Sequence, residues 1–180
     1  MQLWIAQPTA TRHGAAAFEH HPELPHLDLG AGSVATVLAG GIAGAYSPAR
    51  RDSDLVGADL DLRSPVVIVP LEARFEHAVV VLSGAVLIGG HAIAPGHLGY
   101  LGSGRDELRV SAQEPTRALL LGGAPLDEPV LMWWNFVART RAEIDDAYRD
   151  WSEHTDRFGP VASPLPRIGV GPPPWQHPSS

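Results

Sequence analysis

EARFEHAVVVLSGAVLIGGHAIAPGHLGYLG, residues Glu72–Gly102, is the stretch whose reading decides the fold. Aliphatic and β-branched residues come in short runs (HAVVVL, AVLIG, HAIA, HLGYLG), and a turn doublet closes each of the first three: Ser83-Gly84, Gly89-Gly90 and Pro95-Gly96. Glycine supplies the positive φ that tight turns need, and proline presets φ while removing an N–H from any ladder. The spacing predicts short antiparallel strands, with HAVVVL pairing back on AVLIG across Ser83-Gly84. The stretch also carries His77, His91 and His97, which raises the question of a metal on an inner wall.

Outward from this stretch the pattern continues. Upstream, ADLDLRSPVVIVPL places Ala58, Leu60 and Leu62 on one face of a period-two strand and Asp59 and Asp61 on the other. Val66 to Val69 is apolar on both faces, which predicts a strand covered on both sides. SVATVLAGGIAG, residues 33–44, is a strand ending in a Gly-rich turn, and AYSPARRDSDLVG is a polar loop. Downstream, ELRVSA and TRALLLGG supply further strands. Roughly eight strands between Ser33 and Gly123, with turns at regular intervals, predict an all-β antiparallel sandwich or barrel over residues 33–123.

The flanks differ. LWIAQP, Leu3 to Pro8, is strand-like, and AAAFEHHPELPHLDLGAG with Pro22 and Pro25 predicts an extended connector, so residues 1–32 form an N-terminal strand and linker. His20, His21 and His26 in that linker are expected to be solvated. After residue 123 an apolar segment, EPVLMWWNFV, leads into TRAEIDDAYRDW. There Ile144, Ala147, Tyr148 and Trp151 fall at i, i+3, i+4 and i+7, one helical face. Thr140 and Glu143 form a capping box at its start. Residues 124–158 are therefore an aromatic strand and a C-terminal α-helix. Residues 159–180 are a Pro-rich tail, with Phe158 and Trp175 as docking points. No repeat and no second core is expected.

Composition narrows the chemistry. The 180 residues contain no cysteine, which removes disulfides and thiolate ligands and suits a reducing compartment. The net charge of -7 argues against a nucleic-acid partner, which needs a basic face. No apolar run reaches the length of a membrane span, and MQLWIAQPTATRHG lacks the features of a secretory signal. The expectation is a soluble, cytoplasmic protein without membrane contact. No G-x-S-x-G elbow occurs. GGIAG lacks the strand-to-helix setting of a dinucleotide loop, and no helix follows GSGRDE to face a phosphate. Asp127-Glu128 is expected to be a solvated pair. Trp133-Trp134 is expected to split, one ring in the core and one at an interface, because neighbours on a strand face opposite ways.

Several segments resemble a known family. The start around Gln2-Leu3-Trp4, LAGGIAGAYSPAR, VVVLSGAVLI, LLLGGAPLDEPVLMWWNFVARTRAEIDDAYRDW and the closing RFG look like the second half of a pirin, a two-domain cupin. The resemblance covers nearly the whole chain, and GGAPLDEPVLMWWNFVARTRAEI is its most specific part. It implies a cupin-type antiparallel β-barrel or sandwich, the double-stranded β-helix, with one C-terminal α-helix and a Pro-rich tail. In pirins the metal, usually iron, sits in the first barrel on a His-x-His strand with a later His and Glu, and some members act as quercetin 2,3-dioxygenases or as regulators through protein contacts.

This chain contains no His-x-His. A wall site needs imidazoles at i and i+2 with a carboxylate further along the same face. Counted back from Gly84 in the family pattern, the carboxylate position falls on His77 and the imidazole positions near Leu71 and Ala73, neither of which can ligate. His77, His91 and His97 remain as weak metal candidates; His91 and His97 are expected at strand edges beside turns, where the rim is wet, and the simpler reading is a wall histidine with a local hydrogen bond. The resemblance therefore implies a pirin-like protein lacking the metal-binding first cupin domain. No metal, cofactor or catalytic residue is expected in this chain, the family iron belonging to the absent domain. The role expected is a non-catalytic scaffold or interaction half. The rivals are a quercetin 2,3-dioxygenase working with a separate first half or an unusual metal site, and a small-molecule-binding cupin module. Trp4, Ile5, Trp133 and Trp134 are the candidate interface, toward a second copy or a separate first cupin domain.

Overall fold

The structure is a computed structural model that describes residues 2–176; His177 and the three residues after it, the end of the expected tail, lie outside the described residues. The chain divides into two compact units, Gln7–Pro125 and a second made of Met1–Ala6 with Leu126–Ser180.

The first unit is all-β. Its strands are β1 (His26–Gly30), β2 (Ser33–Ile42), β3 (Ala45–Tyr46), β4 (Leu55–Leu62), β5 (Val66–Pro70) and β6 (Glu76–Ser83), then β7 (Val86–Ile88), β8 (His91–Ile93), β9 (Leu98–Gly102), β10 (Glu107–Ser111) and β11 (Thr116–Gly123). One sheet of seven strands runs β1-β2-β4-β11-β6-β9 with β3 on β2, and a second of four runs β5-β10-β7-β8. Every pairing is antiparallel. Among the described residues no ladder joins the two sheets, so the cupin fold is an open sandwich and not a closed barrel.

Period-two alternation builds the core. On β4, Ala58, Leu60 and Leu62 are fully buried; Val79 and Val81 of β6 and Leu120 of β11 meet them from neighbouring strands. Full burial of each large aliphatic side chain among them contributes about 1.5–3 kcal/mol.

Three expectations change here. β7 does not pair with β6: it joins β8 and β10 in the other sheet, so Ser83-Gly84 is a corner between sheets. Gly84 has φ +73° and a Cβ there would collide with the Thr116 hydroxyl, so glycine is required at the crossing. A turn doublet marks a reversal but not its partner. Second, β5 is covered on one face only: Val67 and Val69 are buried, while Val66 and Ile68 are about two-fifths exposed. Third, Leu3 to Pro8 forms no strand, whereas the linker ends in a real one, β1, paired to β2 through His26↔Thr36.

The second unit has its own small core, contrary to the expectation of none. β12 (Leu131–Trp133) and β13 (Phe136–Ala138) form a hairpin, followed by α1 (Arg141–Ser152). Ile144 and Ala147 of α1 are buried with Phe136 and Ala138. Thr140 caps the helix, its Oγ1 accepting from the Glu143 N–H at 3.2 Å, while the Glu143 carboxylate accepts from the Arg139 N–H at 2.7 Å. Trp133 and Trp134 do not split between core and interface. Trp134 stands in the two-residue hairpin loop at φ +51°, off the strand, and both rings pack around Phe136. Phe158 and Trp175 join the same cluster, and Asp145 accepts from the Trp175 indole at 2.9 Å. Glu128 is not merely solvated: it pairs at 2.9 Å with Arg139, whose side chain is largely buried.

Candidate functional site

His77 sits on β6 in the same inward phase as Val79 and Val81, so period two points its ring into the sandwich. Across the ladder it faces Gly122 of β11. A Cβ on Gly122 would lie 2.6 Å from the imidazole Cδ2 and 2.9 Å from the Glu76 carbonyl, so glycine makes the room the ring occupies. His77 is only 1% exposed; among the described residues neither ring nitrogen makes a hydrogen bond of good geometry, and the Phe75 backbone is the hydrogen-bonding group that acts on the ring. Burial pushes the imidazole pKa below its ordinary value, against smaller upward pulls from the Phe75 backbone and the Glu72 charge. The ring is neutral near pH 7, with one donor and one acceptor nitrogen.

Above it lies a cavity of about 410 Å³ at one end of the sandwich. Three chain segments far apart in sequence shape it: the β2–β3 bend, the loop into β4, and the connection from β5 to β6. Gly40 and Gly41 make the bend possible, since side chains there would collide with the Leu55 carbonyl and the Tyr46 ring. Leu55, Leu71, Phe75 and Leu120 give apolar walls. The rim is polar and charged: Tyr46, Arg51, Asp54, Glu72 and Arg74. Arg74 donates to Asp54 at 2.7 Å, lies 3.6 Å from Glu72, and stacks over Phe75 at 5.1 Å. Its hydrogen bond and charge hold the Asp54 carboxyl below its usual value. Arg51 lies over the Tyr46 ring at 5.5 Å.

The other candidates lie elsewhere. His91 and His97 are exposed, and their Nδ1 atoms sit 3.1 and 3.2 Å from the Gly89 and Pro95 carbonyls, bonds within their own turns. Two of the linker histidines are likewise engaged, His21 with Glu19 and His26 with Thr36. Trp4 and Ile5 are about half exposed, beside Val130, Met132 and Val137 in an apolar groove of about 480 Å³ on the second unit.

An iron centre of the family type does not fit these donors. Leu71 and Ala73 offer no ligand atom, His77 is a single imidazole, and the described residues hold no group of three or more His, Cys, Asp or Glu that could share an ion. The rim residues escaped sequence reasoning. A usable signal was the pairing of small with large: glycines at 41 and 122 leave space that Tyr46 and His77 fill.

Comparison with known proteins agrees with this architecture. Residues 59–159 match the pirin C-terminal cupin domain. A Pseudomonas aeruginosa protein named "Putative quercetin 2,3-dioxygenase PA1205" is 42% identical over 177 residues, which is 97% of this chain and 56% of that protein. A pirin-like protein of Caulobacter vibrioides is 32% identical over 155 residues, 84% of this chain and 52% of its own length. The crystal structure of a quercetin 2,3-dioxygenase from Acinetobacter baumannii superposes with a TM-score of 0.89 at 33% identity, covering 97% of this chain and 59% of that one. The chain thus spans about half the length of the relatives it matches. With the match running from the sandwich through the aromatic hairpin and the helix, the chain belongs to the pirins and corresponds to their C-terminal cupin domain.

Proposed function

We propose that this chain works as the non-catalytic half of a pirin, a metal-free scaffold whose partner is a first cupin domain. The observation that carries the reading is the donor set of its inner wall: one imidazole, His77, where a metal centre needs several converging ligands. Any dioxygenase chemistry of the kind named for its relatives would then come from the part of those proteins outside the match. The apolar groove of Trp4, Ile5, Val130, Met132 and Val137 supports the partner reading, since exposed apolar clusters of this kind mark protein contacts. The same face would drive self-association of the chain alone. A cytoplasmic setting suits the absence of cysteine, and no described helix is long and apolar enough to cross a membrane.

The test is quercetin consumption with added iron(II), measured for this chain alone and together with a separately expressed first cupin domain of a pirin. The chain alone is expected to be inactive, and activity in the mixture is expected to track the first domain. Turnover by the chain alone, proportional to its iron content, would overturn the reading.

A second reading has its own support. The cavity, with apolar walls of Leu55, Phe75 and Leu120 beneath a charged rim, favours a small-molecule-binding module. A thermal-shift screen tests this, because a ligand that binds the native state must raise the unfolding temperature.

A further inference from the structure

We propose that the C-terminal tail is an exchangeable clasp: the face of the aromatic unit that seats it accepts the same segment from a second copy of the chain, so that two copies join by trading tails.

The seated tail shows what this face recognises. Trp151 donates its indole N–H to the Ile168 carbonyl at 2.9 Å, and the Arg167 guanidinium lies over the Trp151 ring at 3.7 Å. Further along, Oδ1 of Asp145 accepts from the Trp175 indole at 2.9 Å and from the Gln176 amide at 2.7 Å. Arg141 stands over the Trp175 ring at 5.3 Å, and Trp133 meets that ring edge-on at 6.3 Å. Between the two anchors runs Gly171-Pro172-Pro173-Pro174, with Pro173 fully buried. Proline presets an extended backbone that has little freedom left to lose, and aromatic walls suit such a segment. Arg141 and Asp145 are one turn apart on α1, so the polar part of the seat is a stripe of one helix.

The clasp is held at points, not by bulk burial. Among the described tail residues, 159–176, Pro173 alone is buried. Upstream of Arg167, Val161 is 80% and Leu165 77% exposed, and the described hydrogen bonds of residues 160–166 are local: Ser163 N–H to the Val161 carbonyl and Leu165 N–H to the Ser163 hydroxyl. Pro160, Pro164 and Pro166 keep this hinge extended, at roughly 3.1 Å per residue, which lets it carry the clasp to a neighbouring molecule. In an exchanged pair every anchor is remade on the other copy and only the hinge changes course, a low-cost route to a dimer. Within one chain the tether gives the tail an effective concentration on the order of millimolar, so the closed monomer prevails until the seat in cis is weakened.

The experiment mixes two full-length variants and follows their mass by sedimentation. Asp145→Ala damages the seat and keeps the tail; Trp175→Ala damages the tail and keeps the seat. The mixture is expected to form a one-to-one heterodimer, the intact tail of the first in the intact seat of the second. Its dissociation constant is expected to lie at least tenfold below the self-association of either variant, a difference of about 1.4 kcal/mol. If Trp175→Ala does not fold, Arg167→Ala combined with Gln176→Ala, both exposed positions, takes its place. A mixture that sediments as the sum of its parts would overturn the exchange. Equal association in all three samples would overturn it too, and would assign the contact to the apolar groove of Trp4 and Met132 instead.

Discussion

A buried imidazole ties folding to pH. In the unfolded chain His77 takes a proton near its ordinary pKa of 6.5; in the folded protein burial defers that step to lower pH. Between the two values the unfolded state holds more protons, so stability is full above about pH 6.5 and falls as pH drops through that window. Wild type is expected to lose more melting temperature than His77→Gln between about pH 7.5 and about pH 5.5, by calorimetry in matched salt. Equal losses would show that other groups set the dependence. Gly122→Ala tests the packing side, since its Cβ would press on the His77 ring and the Glu76 carbonyl at 2.6 and 2.9 Å. Overpacking of this kind costs about 1–3 kcal/mol, readable as a lower denaturant midpoint with an unchanged slope. His77's inward direction was legible in the sequence, because alternation along one strand fixes it. The cavity beside it was not, since its rim comes from residues 41–56 and 70–75, brought together only by the fold.

Elements divide in the same way. Thr140 and Glu143 mark the start of α1 through bonds within four residues, and such local signals are legible in the amino-acid order alone. Thr140→Ala is expected to cost about 1 kcal/mol, the usual value of a lost N-cap, measured as a lower denaturant midpoint followed by tryptophan fluorescence. Strand partners are a different matter. Ser83-Gly84 and Gly89-Gly90 look alike as doublets, yet the second closes the hairpin Ile88↔His91 while the first carries the chain across to the other sheet. Pairing depends on which distant strand completes each edge, and no local pattern records that. Trp134 fails for a related reason: its φ of +51° takes it off the strand, so the rule that neighbours alternate no longer applies.

At the level of the whole molecule, the two units have separate cores, and all five tryptophans belong to one of them: Trp4, Trp133, Trp134, Trp151 and Trp175. Tryptophan fluorescence therefore reports on the aromatic unit, and the far-ultraviolet β signal on the sandwich. Ile144 is fully buried against Phe136 and its neighbours, so Ile144→Ala is expected to destabilise the aromatic unit by about 2–5 kcal/mol. The fluorescence transition should move to lower denaturant further than the β signal does; coincident shifts would mean that the chain unfolds as one cooperative body. The division was hidden in the sequence because the second unit is built from both ends of the chain. The measurement that bears most directly on the functional account is the iron content of the purified chain, by elemental analysis after anaerobic loading with iron(II) and removal of excess. The account predicts iron well below one equivalent and unchanged by His77→Gln. One tightly held iron per chain, lost in His77→Gln, would contradict it.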